Sequence, residues 1–286
     1  MKHFKIAFIA LFSLSICLQS CQTEDLNDSI EESKILEDLD NDNIPDAIVN
    51  KLAEFYMNTD GIKKVDFLLP DGTTMDMYQV EEDIMLSEKQ IMALEINNGI
   101  TDRNYRTNNL VSQGRNISIV GYTGSGGFGL SDKEKTALQW AVNNYNNLSG
   151  VSISFTLTFS TNYQSKDMVV YHNPNQSGAG GSAGFPSNGL PNKFVQIYGL
   201  NNYDTNVVEH VITHEIGHSV GFRHTDWFSR QSCGQNSNEG TAGVGAISIP
   251  GTSSGYNPDS IMVACFSNGE DGEFDSDDVI GLQYMY

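Results

Sequence analysis

Any fold this chain adopts must accommodate the string His214-Glu215-Ile216-Gly217-His218-Ser219-Val220-Gly221-Phe222-Arg223-His224. His214 and His218 stand four apart, one turn of a helix, so both rings project from one face and can reach a single ion. The residues before them supply that helix: Asn206 and Glu209 have the spacing of a helix opening, and Val207, Val208, Val211, Ile212 and Ile216 give it a buried face. Gly221 can take a positive φ, end the helix and turn the chain so that His224 returns to the same ion. Three protein ligands with an adjacent carboxylate describe an open zinc site, whereas a structural zinc, the competing reading, is closed by four. Glu215 sits beside the first ligand, where it can take a proton from an activated water and pass it on.

The rest of the chain says where such a site would work. Lys2-His3-Phe4-Lys5 precede an apolar run from Ile6 to Leu18 that is too short to span a bilayer, the layout of an export signal over residues 1–20. Leu18-Gln19-Ser20-Cys21 resembles the lipobox of bacterial lipoproteins, which makes Cys21 the lipid-bearing first residue of an outer-membrane or cell-surface protein. Residues 21–44 are polar and acidic and bury too little apolar area to fold, so they read as a tether. The run Asp40-Asn41-Asp42-Asn43-Ile44-Pro45-Asp46 keeps calcium open as a second ion, although it lacks the Gly and distal Glu of an EF-hand and Pro45 equally suits a helix start. With Cys17 and Cys21 spent at the N-terminus, Cys233 and Cys265 remain to form a disulfide outside the cytoplasm. A formal net charge of −20 repels phosphate backbones and excludes nucleic acid as a partner. A monomer is expected, touching membrane only through its lipid.

Past the tether, Ile48, Leu52, Phe55 and Tyr56 recur at helical spacing, and two strand-like runs follow, Val65 to Leu69 and Met75 to Val80, around the turn Pro70-Asp71-Gly72. Ser87 and Gln90 have capping-box spacing for a second short helix. This helix-plus-hairpin module is assigned residues 45–110, with the polar stretch Asn97 to Gln113 as an exposed connector. The larger domain, 111–286, opens with a strand from Ile117 to Tyr122 and a helix begun by the capping box Ser131-Asp132-Lys133-Glu134, whose Ala137, Leu138, Ala141, Val142, Tyr145 and Leu148 share a face. Ile153 to Phe159 alternates apolar with Ser and Thr, and Met168 to Tyr171 and Phe194 to Tyr198 add two strands. The result is an α+β pattern. Gln176 to Pro191, rich in Gly, Ser and Asn, reads as a loop beside a cleft.

The eleven residues match H-E-x-x-H-x-x-G-x-x-H at every fixed position and resemble the metzincin clan of zinc metallopeptidases. Within it, His214 to Asp226 is similar to the bacterial HEIGH metallopeptidases. That resemblance implies a zincin-like fold with a mixed, mostly parallel twisted sheet, a long helix, an active-site helix and a C-terminal helix. It implies a methionine in a turn beneath the ligands, for which Met262 in Ser260-Ile261-Met262 is the candidate. The ending from Phe274 to Tyr286, with Asp275 as cap, resembles the last matrixin helix, and Ala183 to Pro191 lies where metzincins keep the edge strand that binds extended substrate. Two departures bear on the ligand set. Ala264 stands where some members carry a ligating tyrosine, and Asp226 competes with His224 as third ligand.

The implied activity is a secreted or surface-anchored endopeptidase acting on extended peptide. The rival is a zinc-binding surface adhesin of the same fold, against which the presence of Glu215 argues. If residues 45–110 are a pro-segment, no thiol is free to block the ion and a carboxylate must do so, with Glu81, Glu82 and Asp83 as candidates. Cutting near Arg103 to Arg115 would then release the catalytic part from its lipid.

Overall fold

The computed structural model describes residues 44–55, 57–94, 105–227, 229–235, 247–253 and 256–286. The export signal, Cys21, the tether and residues 40–43 of the acidic run lie outside the described residues, as do Tyr56 and residues 95–104.

The larger body is a five-stranded sheet with helices on one face. Its strands are β5 (Asn116–Tyr122), β6 (Ser154–Ser160), β7 (Met168–His172), β8 (Gly180–Ser182) and β9 (Phe194–Tyr198), in the order β6-β5-β7-β9-β8. Pairings among β6, β5, β7 and β9 are all parallel, and β8 alone runs antiparallel at the edge. Parallel neighbours need a crossover, which α3 (Asp132–Asn147) provides between β5 and β6. The expected capping box starts α3, with Ser131 accepting from the Glu134 N–H, and Ala137, Leu138, Ala141, Val142 and Tyr145 are buried. Ile153, just before β6, and Phe155 within it reach the core, but Phe159 stays 41% exposed, lying over Gly121, where an added Cβ would come within 2.6 Å of its ring.

The helix carrying the histidines, α4 (Thr205–Val220), lies against α3, and the Tyr145 hydroxyl donates to the Thr213 carbonyl at 2.9 Å. It is buried almost all round, so polar and apolar residues alike face protein. Its N-cap is Asp204, not Asn206, and the Asp204 side chain makes no cap bond; its C-cap is Gly221 at φ 119°, the left-handed turn expected there. The last helix, α5 (Ser276–Met285), starts with a capping box between Asp275 and Asp278. Asp278 also accepts from the Ile261 N–H at 2.8 Å and the Ser260 hydroxyl at 2.7 Å, tying α5 to the turn that holds Met262.

The smaller module packs α1 (Asp46–Glu54), the hairpin of β1 (Lys63–Leu68) and β2 (Thr74–Val80), a third strand β3 (Ile84–Leu86) and α2 (Glu88–Met92) around Ile48, Leu52, Phe55, Val80, Ile84, Leu86 and Ile91. Pro45 is the N-cap of α1, and the Ser87–Gln90 capping box starts α2. The module's core includes Phe185 of the larger body, and the Tyr171 hydroxyl of β7 donates to the Leu68 carbonyl at 2.7 Å, so the two share packing. The exposed connector expected over Asn97 to Gln113 is corrected in its second half. β4 (Tyr105–Arg106) pairs with β10 (Ile247–Ser248), Thr107 and Val111 are buried, and the Val111 N–H donates to the Tyr286 hydroxyl at 3.1 Å.

Cys233, at the end of a one-turn 3-10 helix, is disulfide-bonded to Cys265, with Cα atoms 5.1 Å apart across a sequence separation of 32. Closing a loop of that size removes about 3–4 kcal/mol of chain entropy from the unfolded state. Replacing both cysteines with alanine is therefore expected to lower the unfolding free energy by roughly that much in urea titrations, and an unchanged midpoint would show that the loop is held by other contacts.

Candidate metal centre

The helix, the glycine turn and the chain beyond it bring the three imidazoles together. Ring centroids of His214, His218 and His224 lie 4.6, 4.7 and 5.3 Å apart in pairs, and His218 Nε2 is 3.2 Å from His224 Nε2. The opposite nitrogen of each ring is engaged. His214 Nδ1 is 2.7 Å from the Ile261 carbonyl, His218 Nδ1 is 2.9 Å from the Phe222 carbonyl, and His224 Nδ1 is 3.1 Å from a Glu81 carboxylate oxygen. Such bonds fix the tautomer and aim the other nitrogen at an ion. Burial, reinforced by the neighbouring rings, holds His218 well below the ordinary histidine range, which keeps it in the neutral form a ligand needs.

A fourth donor joins them that helix geometry does not supply. Asp83, between β2 and β3, places Oδ2 3.0 Å from His224 Nε2 and 3.4 Å from His214 Nε2, and Oδ1 3.9 Å from His218 Nε2. One ligand atom from each of the four lies within 4.8 Å of the others. His214 Nε2 and Asp83 Oδ1 are buried without a hydrogen-bond partner, a cost that a divalent cation among them would remove. The donor set fits zinc, which takes imidazole nitrogen and carboxylate oxygen in fourfold coordination.

Glu215 projects beside this cluster. It is buried, and one carboxylate oxygen has no partner. Burial, with the Asp83 charge adding to it, pushes its carboxyl well above the ordinary carboxylate value. Gly181 of β8 makes room for it: a Cβ there would come within 2.5 Å of Glu215 Cγ. Tyr198 of β9 donates to the Gly181 carbonyl at 2.7 Å, bracing the edge on which the carboxylate rests. A cleft of about 350 Å³ opens along this edge, lined by Gly180, Gly181, His210, Glu215 and Phe266 among others. The edge strand is thus Gly180–Ser182, just before the stretch Ala183 to Pro191 expected to form it.

Met262 lies under the helix. A Cβ on Gly217 would meet its sulfur at 2.5 Å, so the glycine between the ligands is what lets the methionine approach. Its carbonyl accepts from the Thr225 N–H at 2.8 Å, holding the chain just past His224. Asp226 is not among the converging donors. Its oxygens accept from the Ser232 N–H and hydroxyl and from the Ala264 N–H, at 2.9, 2.6 and 2.9 Å, which braces the segment closed by the disulfide.

Three participants were not read from the sequence as parts of this site. His210, one turn before His214, is buried and lines the cleft, with Nε2 unpartnered; burial, then the charge of His214, lowers it to about 3. Its offset of four from His214 was the available signal. Tyr198 carried no local signal. Arg223 carried little, because its partner Glu81 lies 142 positions away; the two meet at 3.0 Å. Although burial works to raise Glu81, Arg223 and His224 hold it at about 2. Glu81 and Glu82 sit at φ 52° and 74°, left-handed conformations that cost non-glycine residues on the order of 1–3 kcal/mol each.

The family model described as dual-action HEIGH metallo-peptidase matches residues 78–286, a span that includes the end of β2 and the whole Glu81–Asp83 turn. Two solved structures of myroilysin are similar, both 15% identical with a TM-score of 0.39; one covers 61% of this chain and 81% of its own, the other 63% and 87%. No curated protein matches.

Proposed function

The chain belongs to the dual-action HEIGH metallopeptidase family and is a zinc metallopeptidase, and from that premise we propose that it is an endopeptidase in which His214, His218 and His224 hold the ion and Glu215 moves the proton. One observation carries this reading: three imidazoles whose far nitrogens are all engaged aim their remaining nitrogens at one point, with an underused carboxylate next to it. Zinc, when bound, acidifies a water and polarises a carbonyl. The protein's own groups do the rest. Glu215 takes a proton on its unpartnered oxygen and returns it to the leaving amine. The edge β8 offers main-chain groups to an extended peptide by strand addition, with Tyr198 and Glu215 fixing its position.

The same proposal places the protein outside the cytoplasm as a lipoprotein held by Cys21. The signal-like run before it and the disulfide between Cys233 and Cys265 support that setting. Among the described residues no helix is long and apolar enough to cross a membrane.

Metal removal tests the enzyme reading. Treating the chain with 1,10-phenanthroline is expected to lower its turnover of a quenched-fluorescence peptide library by at least about 100-fold, with recovery on adding one equivalent of zinc. Turnover that survives the chelator while metal analysis shows an empty protein would end the proposal.

A further inference from the structure

Resting on the peptidase reading, we propose that the chain folds in a self-inhibited form in which Asp83 is a fourth ligand closing the metal centre and β3 occupies part of the edge meant for substrate. The Asp83 carboxylate lies within 3.9 Å of the aimed nitrogen of each histidine, and Asp83 and Glu215 line the same cleft. A carboxylate bound there leaves no coordination position for water or for a scissile carbonyl, and a catalytic zinc needs one.

The backbone on either side of Asp83 is bound as a peptide in the cleft would be. The Ala183 N–H, one residue past β8, donates to the Asp83 carbonyl at 3.1 Å, and the Met85 N–H donates to the Ala183 carbonyl at 2.7 Å. Ile84 and Ala183 thereby form a parallel bridge that extends the substrate edge with the chain's own segment. Gly184 permits the approach, since a Cβ there would stand 2.5 Å from the Met85 carbonyl oxygen.

The turn is latched from both sides. Glu81 pairs with Arg223 at 3.0 Å, reaches His224 Nδ1 at 3.1 Å and accepts from the Asn58 N–H at 3.0 Å, while Glu82 pairs with Arg230 at 3.1 Å. These contacts hold two successive residues in left-handed backbone that neither would adopt alone. The strained backbone lies next to the position that blocks the ion, which suits a segment built to be withdrawn.

The test uses the zinc-loaded full chain and three variants, Asp83→Ala, Asp83→Asn and Asp66→Ala. It reads zinc content, the visible spectrum after cobalt substitution, calorimetric binding of a peptide hydroxamate and peptide turnover. Freeing the centre is expected to tighten hydroxamate binding and raise turnover by at least roughly tenfold in both Asp83 variants, and to change the cobalt spectrum, as when an unproductive state holding nine-tenths of the population is removed. Asp83→Asn guards against a folding defect of the alanine variant, and Asp66→Ala, at an exposed position of β1 away from the turn, should behave as the unaltered chain. Loss of zinc from both Asp83 variants would overturn the proposal by making Asp83 a permanent holder of the metal. So would unchanged hydroxamate binding in zinc-replete Asp83 variants, or equal activation by Asp66→Ala. Tighter hydroxamate binding with no hydrolysis in any form would instead sink the peptidase reading and leave self-inhibition standing.

Discussion

Glu215→Gln is expected to keep one zinc per chain and lower peptide turnover by about 10²–10⁴-fold, the usual worth of a positioned general base. Gln has nearly the shape of Glu, so the contact with Gly181, where no side chain fits, is preserved and no cavity opens in the cleft wall. What disappears is the capacity to accept a proton. Stability should not suffer, because burial already disfavours the charged carboxylate at this position, and a neutral amide escapes that cost. The comparison is best made in chains carrying Asp83→Ala as well as in the unaltered chain, so that basal turnover is high enough to show its loss. Elemental analysis and kcat measured on the same samples decide the matter: turnover within a factor of ten of the parent, with zinc in place, would remove Glu215 from the reaction.

The parts of this arrangement that were legible in the sequence are those set by neighbours a few positions away. The i, i+4 spacing of His214 and His218, the release of the helix at Gly221, the capping boxes at Ser87 and Ser131 and the cap at Asp275 are local chemistry, and each appears where its residues predict. The cysteine pairing followed by elimination within an oxidising compartment. Three features resisted for physical reasons. β8 is Gly-Gly-Ser, a composition with little intrinsic strand preference, and it is a strand because β9 pairs with it and because a larger residue at Gly181 would strike Glu215. The spacing of Asn206 to Glu209 points to an opening of α4 at Asn206, yet Asp204 caps it without a side-chain bond, and the helix's near-complete burial removes the apolar stripe that would have fixed its phase. Glu81 to Asp83 could be named as carboxylates able to reach an ion, but which of them does so depends on left-handed backbone at two glutamates and on partners more than a hundred positions away.

His218→Ala is expected to separate metal binding from proton transfer in the opposite sense to Glu215→Gln. His218 is fully buried, with Nδ1 on the Phe222 carbonyl and Nε2 3.2 Å from His224 Nε2, so no other side chain can move into its place without disturbing the turn at Gly221. Truncation leaves His214, His224 and Asp83 around an enlarged space and strips the Phe222 carbonyl of its partner, a loss of about 1–3 kcal/mol in fold stability. Zinc affinity should fall further than the 10–100-fold typical of losing a supporting hydrogen bond, because here a ligand itself is gone. Dialysis against a competing chelator followed by metal analysis should find the parent and Glu215→Gln loaded and His218→Ala empty, with circular dichroism confirming that all three are folded. Excess zinc should not restore hydrolysis, since an ion bound by the remaining groups would no longer sit at the convergence of the rings beside Glu215. A folded His218→Ala protein that still carried zinc at the parent's affinity would mean that the ion binds elsewhere, and the geometry from which the enzyme reading was built would have lost its purpose.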